Sequence, residues 1–218
     1  MKLGIIDYGS GNLHSVEHAL AHACSDLQGS CSIARITSAD ALRHCDQIVL
    51  PGVGHFADCR QRLLAVDGLI DALYETAIKH ARPFLGICVG MQLLADEGHE
   101  GQVTPGLGWI GGSVRALSRT SSQKGSPDLK IPHIGWNTLH VNKPHPILSG
   151  LDDTTQVYFI HSYFFDAVAL DMVIATTDYG MEVPAVVGRD NLFGTQFHPE
   201  KSQAAGQQIL RQFLSWRP

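Results

Sequence analysis

Short apolar runs at 2–7, 32–37, 46–50 and 83–88 alternate with helix-like stretches, and that alternation is the tightest constraint on what this chain can become. Parallel strands need a long crossover between them, and the helical stretches supply it, so the first half predicts a parallel sheet with helices on its faces. The stretch 12–23 reads as a helix capped by Asn12. Across 56–80, Leu63, Leu64, Leu69, Ile70, Leu73 and Ile78 recur at helical spacing, with Gly68 as a candidate break. Beyond 91–97 the pattern changes to Gly- and Trp-containing runs joined by short turns as far as 195, which predicts an antiparallel addition. The polar, turn-rich stretch 118–130 reads as a surface loop. A last helix, capped by Ser202 and ending near Trp216, would turn Ala205, Ile209, Leu210 and Phe213 to the sheet. The expected fold class is α/β: a parallel central sheet flanked by helices with an added antiparallel strand portion, in one domain spanning 1–218.

Hydrophobic residues at 44% and charged residues at 17% are ordinary for a compact globular chain. A formal net charge of −5 argues against a broad phosphate-neutralising surface, so no nucleic-acid partner is expected. No apolar run approaches the roughly 20 residues that cross a bilayer, and neither a membrane association nor a targeting segment is expected. Cys24, Cys31, Cys45, Cys59 and Cys88 are odd in number and show no CxxC or zinc-ligand spacing, which suggests a reduced, cytoplasmic protein. The 12 histidines form no HExxH or clustered set, so no metal and no cofactor is expected.

Two motifs carry chemistry. In 83–94 an apolar strand runs into a tight turn and a helix, with Cys88 at the turn and Gly86 and Gly90 two residues to either side. This is the form of a nucleophile elbow, in which glycines relieve the crowding of a strained turn, the thiol is pushed into the open, and the helix start offers N–H groups to a thiolate and an oxyanion. Taken alone, Cys88 reads equally as a small buried hydrophobe, which is how the other four cysteines read. The second motif is Gln196-Phe197-His198-Pro199-Glu200, just past a predicted strand. An imidazole can take and return a proton near neutral pH, a carboxylate can fix its tautomer, and Pro199 stiffens the backbone between them. A lone His-x-Glu is usually a surface pair; next to a glycine-framed cysteine it becomes a candidate base and orienter. The two motifs lie far apart in sequence, but active groups gather at the carboxyl ends of strands in doubly wound sheets.

These residues, with 7–13, 51–54, 132–137, 161–163 and 196–202 in order, resemble the class I, or triad, glutamine amidotransferases over essentially the whole chain. Within them the match is best to glutaminase subunits of imidazole glycerol phosphate synthase, to which 7–12 and 132–137 point. The resemblance implies a flavodoxin-like sheet and a triad of Cys88, His198 and Glu200 acting on L-glutamine. It implies an oxyanion held by the Gly52-Val53 backbone, which is thought to reorient on activation, and by the N–H of Val89. It places Gln92 against the substrate, with His161, Ser162 and Tyr163 as the opposite wall, and Asn12, Trp136 and Lys201 near a subunit interface. The implied partner is a separate cyclase subunit of (βα)8 barrel type, forming a heterodimer that receives the ammonia. Two other readings stay open: an amidotransferase component of another synthase, or a flavodoxin-like module whose cysteine is structural.

Overall fold

A computed structural model of the chain describes residues 1–25, 27, 31–118 and 129–218. In chain order the elements are β1 Lys2–Ile6, α1 Leu13–Ser25, β2 Ser32–Ile36, α2 Ala39–Arg43, β3 Gln47–Gly52, α3 Phe56–Ala65, α4 Leu69–Leu73, β4 Phe84–Cys88, α5 Val89–Gln92, β5 Glu97–Glu100, β6 Gln102–Pro105 and β7 Gly112–Ala116. After the stretch at 119–128, where most of the expected loop lies outside the described residues, come β8 His133–Thr138, β9 His140–Val141, β10 Gln156–His161, β11 Tyr163–Ala167, β12 Val173–Asp178, β13 Glu182–Arg189, β14 Leu192–Thr195 and α6 Gln203–Ser215.

The main sheet has the order β2-β1-β3-β4-β14-β13-β12-β9. Its first half, through the β4–β14 pairing, is parallel; from β14 outward it is antiparallel. The expected antiparallel addition is therefore partly an extension of the same sheet. The rest forms a β8–β10 ribbon and a small sheet of order β11-β7-β5-β6. β3 and β4 are buried along their whole lengths, as the unbroken apolar runs predict for strands covered on both faces. Edge strand β2 is only partly covered. Each fully buried Phe, Leu or Ile, among them Phe84, Phe193, Leu3 and Ile5, contributes on the order of 1.5–3 kcal/mol by leaving water.

The helices follow their patterns with instructive departures. Asn12 caps α1 as expected, accepting from the Ser15 N–H at 3.3 Å, and α1 buries Val16, Ala19, Leu20 and Ala23. Gly68, at φ 65°, does break the 56–80 stretch, which becomes α3, α4 and a π-helical turn at Tyr74–Lys79. Ser202 takes the position before α6 but does not cap it: its hydroxyl donates to the His198 carbonyl at 2.7 Å and accepts from the Tyr158 N–H at 3.0 Å. Those bonds fix the segment carrying His198 instead. At the other end of α6, buried Gln47 donates to the carbonyls of Phe213, Leu214 and Trp216.

The five cysteines are not all reduced thiols, contrary to the expectation from their scattered spacing. Cys24 at the end of α1 and Cys31 just before β2 are joined by a disulfide, because the return from helix to strand brings their Cα atoms to 5.9 Å. Cys45, Cys59 and Cys88 are free. Among the described residues, no helix is long and apolar enough to cross a membrane, and no group of three or more His, Cys, Asp and Glu side chains could hold a metal ion.

Candidate active site

Three adjacent strands end side by side. In the β3–β4 ladder Gly52 lies opposite Cys88, and in the β14–β4 ladder Thr195 lies opposite Ile87. The sheet therefore delivers the end of β3, the Cys88 turn and the segment leading to His198 to one edge, although they come from distant parts of the chain.

Cys88 has φ 55° and ψ −112°, a conformation a non-glycine residue holds only when its surroundings enforce it, at a cost of order 1–3 kcal/mol. The enforcement is backbone packing. A Cβ on Gly86 would lie 2.6 Å from the Gly90 carbonyl oxygen, and one on Gly90 would lie 1.8 Å from the Leu50 carbonyl oxygen. Only glycine lets β4, the turn and β3 approach this closely. The helix after the turn is shorter than the motif suggests: α5 ends at Gln92, after which the 93–95 backbone accepts bonds from Leu107, Gly108, Trp109 and Ile110. Its contribution is thus confined to the N–H groups of a single turn rather than a long-helix dipole. Nor is the thiol in the open. Cys88 is only 4% exposed and forms the floor of a cavity of about 280 Å³.

That cavity is lined by Val53, Val89, Gln92, His161, Ser162, Tyr163, His198 and Lys201 as well as Cys88, so most of the expected site residues converge there. His198 Nδ1 lies 2.7 Å from Glu200 Oε1, and the two side chains are 3% and 1% exposed. Pro199 opens a single 3-10 turn that folds Glu200 back under the ring. His198 Nε2 is buried with no hydrogen-bond partner among the described residues. Burial opposes the charged ring, but the nearby Cys88 sulfur and the Glu200 carboxylate outweigh it and push the imidazole up to about 10. An imidazole that lines the same cavity as one sulfur and is braced by a buried carboxylate is an arrangement that can move a proton to and from that sulfur.

Gln92 is not solvated: it is 3% exposed, and Nε2 donates to the Tyr163 carbonyl at 2.9 Å and to Gln196 Oε1 at 3.0 Å. Gln196 in turn directs Nε2 at Cys88 Sγ, 3.7 Å away. Gln196 carried no role in the sequence reading, yet it sits two residues before His198 in its motif, spacing that puts alternate side chains on one side of an extended segment. Ser10 was also missed. Its hydroxyl donates to the Val53 carbonyl at 2.8 Å and accepts the Val53 N–H at 3.3 Å, so that N–H is engaged away from the sulfur.

Asn12, Trp136 and Lys201 are exposed, and so lie apart from the core. Trp136, at 43% exposure, pairs edge-on with Tyr158 across the β8–β10 ribbon, and Lys201 Nζ stands 5.8 Å above the Tyr158 ring. Ile134 and Ile160 extend the same face, making an apolar patch beside the cavity mouth.

The family model described as glutamine amidotransferase class-I matches residues 5–216. The chain belongs to the class-I glutamine amidotransferases. Among relatives of this amidotransferase, the imidazole glycerol phosphate synthase subunit HisH of Brucella suis is 51% identical over the whole of both chains, and that of Rhodospirillum rubrum is 50% identical, again over both in full. The subunit of Cereibacter sphaeroides is 44% identical over 98% of each. Among solved structures, a glutamine amidotransferase of Thermotoga maritima superposes with a TM-score of 0.64 at 16% identity, covering 99% of this chain and 96% of that one. Another glutamine amidotransferase gives a TM-score of 0.70 at 18% identity over 98% and 97%. At that distance the superpositions show the shared amidotransferase fold.

Proposed function

We propose that this chain acts as the glutaminase subunit of imidazole glycerol phosphate synthase, a single domain over 1–218 that hydrolyses L-glutamine and passes ammonia to a separate cyclase subunit. What carries the proposal is the unpartnered Nε2 of His198, buried in the cavity whose floor is Cys88 and braced by Glu200 at 2.7 Å. It is joined by near-half identity to HisH subunits over the full length.

In the proposed reaction His198 holds the proton of Cys88, and the sulfur attacks the side-chain amide carbon of glutamine. The Val89 N–H and a reoriented Gly52-Val53 peptide stabilise the tetrahedral oxyanion. His198 gives its proton to the departing nitrogen, ammonia leaves, and a γ-glutamyl thioester remains on Cys88. Water, deprotonated by His198, then cleaves the thioester to release glutamate. Glu200 keeps Nδ1 protonated throughout, so Nε2 alone exchanges protons. Gln92 and the backbone at His161-Ser162-Tyr163 hold the amino-acid end. The bonds from Ser10 to Val53 support a resting state in which one oxyanion donor is turned away, so turnover by the lone chain is slow until the liganded cyclase docks. Trp136 and Lys201, with the apolar face they border, are the proposed docking surface, and Asn12 lies near its edge.

The test separates the two half-reactions. Cys88→Ala abolishes glutamine-dependent synthesis by the complex but leaves synthesis from added ammonium salts intact. Loss of both activities together refutes the division of labour.

A further inference from the structure

Two buried histidines lie outside the proposed triad, and their hydrogen bonds run in one direction. Asn137 Nδ2 is 3.3 Å from His133 Nε2 and also donates to the Asp178 carbonyl at 2.8 Å. The Thr138 N–H donates to Asn137 Oδ1 at 2.8 Å, which fixes the amide with its NH2 toward the ring. His133 Nδ1 lies 3.0 Å from His161 Nε2, and His161 Nδ1 lies 2.9 Å from the Tyr163 carbonyl. A carbonyl only accepts, so His161 carries its proton on Nδ1. Its Nε2 must then accept, so His133 also carries its proton on Nδ1 and accepts from Asn137 through Nε2.

Burial keeps both rings neutral, with His133 lowered to about 4 and His161 to about 3. Every ring nitrogen is used once, and no alternative protonation satisfies the series. The His133 ring is also clamped, with Phe159 stacked on it at 4.8 Å and Tyr179 at 3.9 Å between centroids. The series ends on the Tyr163 carbonyl, which receives a second donor, Gln92 Nε2. Gln92 and Tyr163 are walls of the cavity, whereas His133 does not line it.

We propose that His133 is a positioning residue for glutamine: through His161 it fixes the Tyr163 carbonyl, and through that carbonyl the Gln92 amide that faces the substrate. The inference rests on the glutaminase reading. Tyr163 and Gln92 sit on separate elements, β11 and α5, and the doubly bonded carbonyl ties them together. Without the Nδ1–H of His133, His161 Nε2 is left without a donor in a buried site, and the imidazole and the carbonyl it holds lose their fixed position.

Two substitutions separate positioning from packing. In the Cys88→Ala protein, His133→Phe keeps the aromatic sandwich and removes both nitrogens, whereas His133→Asn removes the ring but keeps a donor near the place of Nδ1. Calorimetric titration with L-glutamine is expected to show His133→Phe weakening binding about tenfold, the scale of one buried hydrogen bond. His133→Asn is expected to stay within about threefold of its parent. The reverse order, which a packing role produces, overturns the proposal, as does an unchanged affinity in His133→Phe. Nitrogen-15 NMR of the imidazoles at neutral pH supplies a reading independent of substrate: both rings are expected as Nδ1–H tautomers, and an Nε2–H tautomer on either ring overturns the series. A Cys88→Ala parent that binds no glutamine, with both tautomers as stated, overturns the glutaminase reading and the positioning role that rests on it while leaving the hydrogen-bond series standing.

Discussion

Glu200→Gln removes one charge and almost no volume, and the surroundings of that carboxylate set the result. Oε1 meets His198 Nδ1 at 2.7 Å, while Oε2 is buried with no partner among the described residues. A glutamine amide can enter in two ways. With its oxygen toward Nδ1, the ring keeps its tautomer, but the NH2 occupies a buried place without an acceptor, at a cost of about 1–3 kcal/mol to folding. The charge-assisted bond also becomes a neutral one of roughly half the strength, and losing about 1–2 kcal/mol of support for the imidazolium slows the reaction about 5- to 30-fold. With the NH2 toward Nδ1, the buried amide is better satisfied, but the ring must carry its proton on Nε2 and can no longer accept one from Cys88. That orientation removes most of the base catalysis, about 10²- to 10⁴-fold. Avoiding the unpaired buried donor favours the second orientation, so kcat for glutamine hydrolysis by the partner-activated complex should fall at least a hundredfold. Because Glu200 does not line the cavity, KM should change less than about threefold. Steady-state glutaminase kinetics measure both. A kcat within twofold of the parent would show that the carboxylate neither sets the tautomer nor supports the charged ring.

Gly90→Ala forces a Cβ to within 1.8 Å of the Leu50 carbonyl oxygen, so β3 and the nucleophile turn must separate by an amount on the order of 1–2 Å. We expect unfolding at least about 5 °C lower and Cys88 alkylation by a glutamine-like electrophile slowed about a hundredfold; wild-type values for both would refute the packing account of the turn. Trp136→Ala, at a half-exposed position, should leave the melting temperature of the isolated chain unchanged and weaken cyclase binding at least tenfold in a titration, with equal affinity removing Trp136 from the interface.

The pH dependence of stability has two limbs. His133, His145 and His161 sit at about 4, 4 and 3 because burial disfavours their charged forms; they gain protons on unfolding, and their stabilisation, full above pH 6.5, is lost as pH falls toward 4. His198, raised to about 10, stabilises fully below pH 6.5 and loses that contribution as pH climbs toward 10. Thermal melts should therefore decline on both sides of neutrality, and the alkaline decline should shrink in His198→Gln. A decline that is the same in that variant contradicts the charged-ring assignment.

The parallel strands, the break at Gly68, the cap at Asn12 and the glycines around Cys88 were legible in the sequence because each is a local demand: apolar runs fit buried strands, and a crowded or left-handed turn excludes a side chain. The pairing of His198 with Glu200 was legible for the same reason, since two residues and a proline span it. Other features depended on what the chain met after folding. The helix after Cys88 stops at Gln92 because the 107–110 backbone comes in to bond the next carbonyls, and Ser202 leaves its capping role because its oxygen accepts from the Tyr158 N–H instead. The disulfide between Cys24 and Cys31 came from a helix-to-strand return that spacing does not encode. The parts given to Gln196, Ser10 and His133 came from contacts across the sheet edge and between strands, at sequence separations that no period marks. Sequence by itself determined which residues could do the chemistry and which backbone turns must be glycine, because covalent connectivity and sterics act within a few residues. Only the tertiary structure decided which of those residues meet, how each polar atom is satisfied and which way the protons point, because hydrogen bonds and burial are settled by neighbours that the folded sheet brings together.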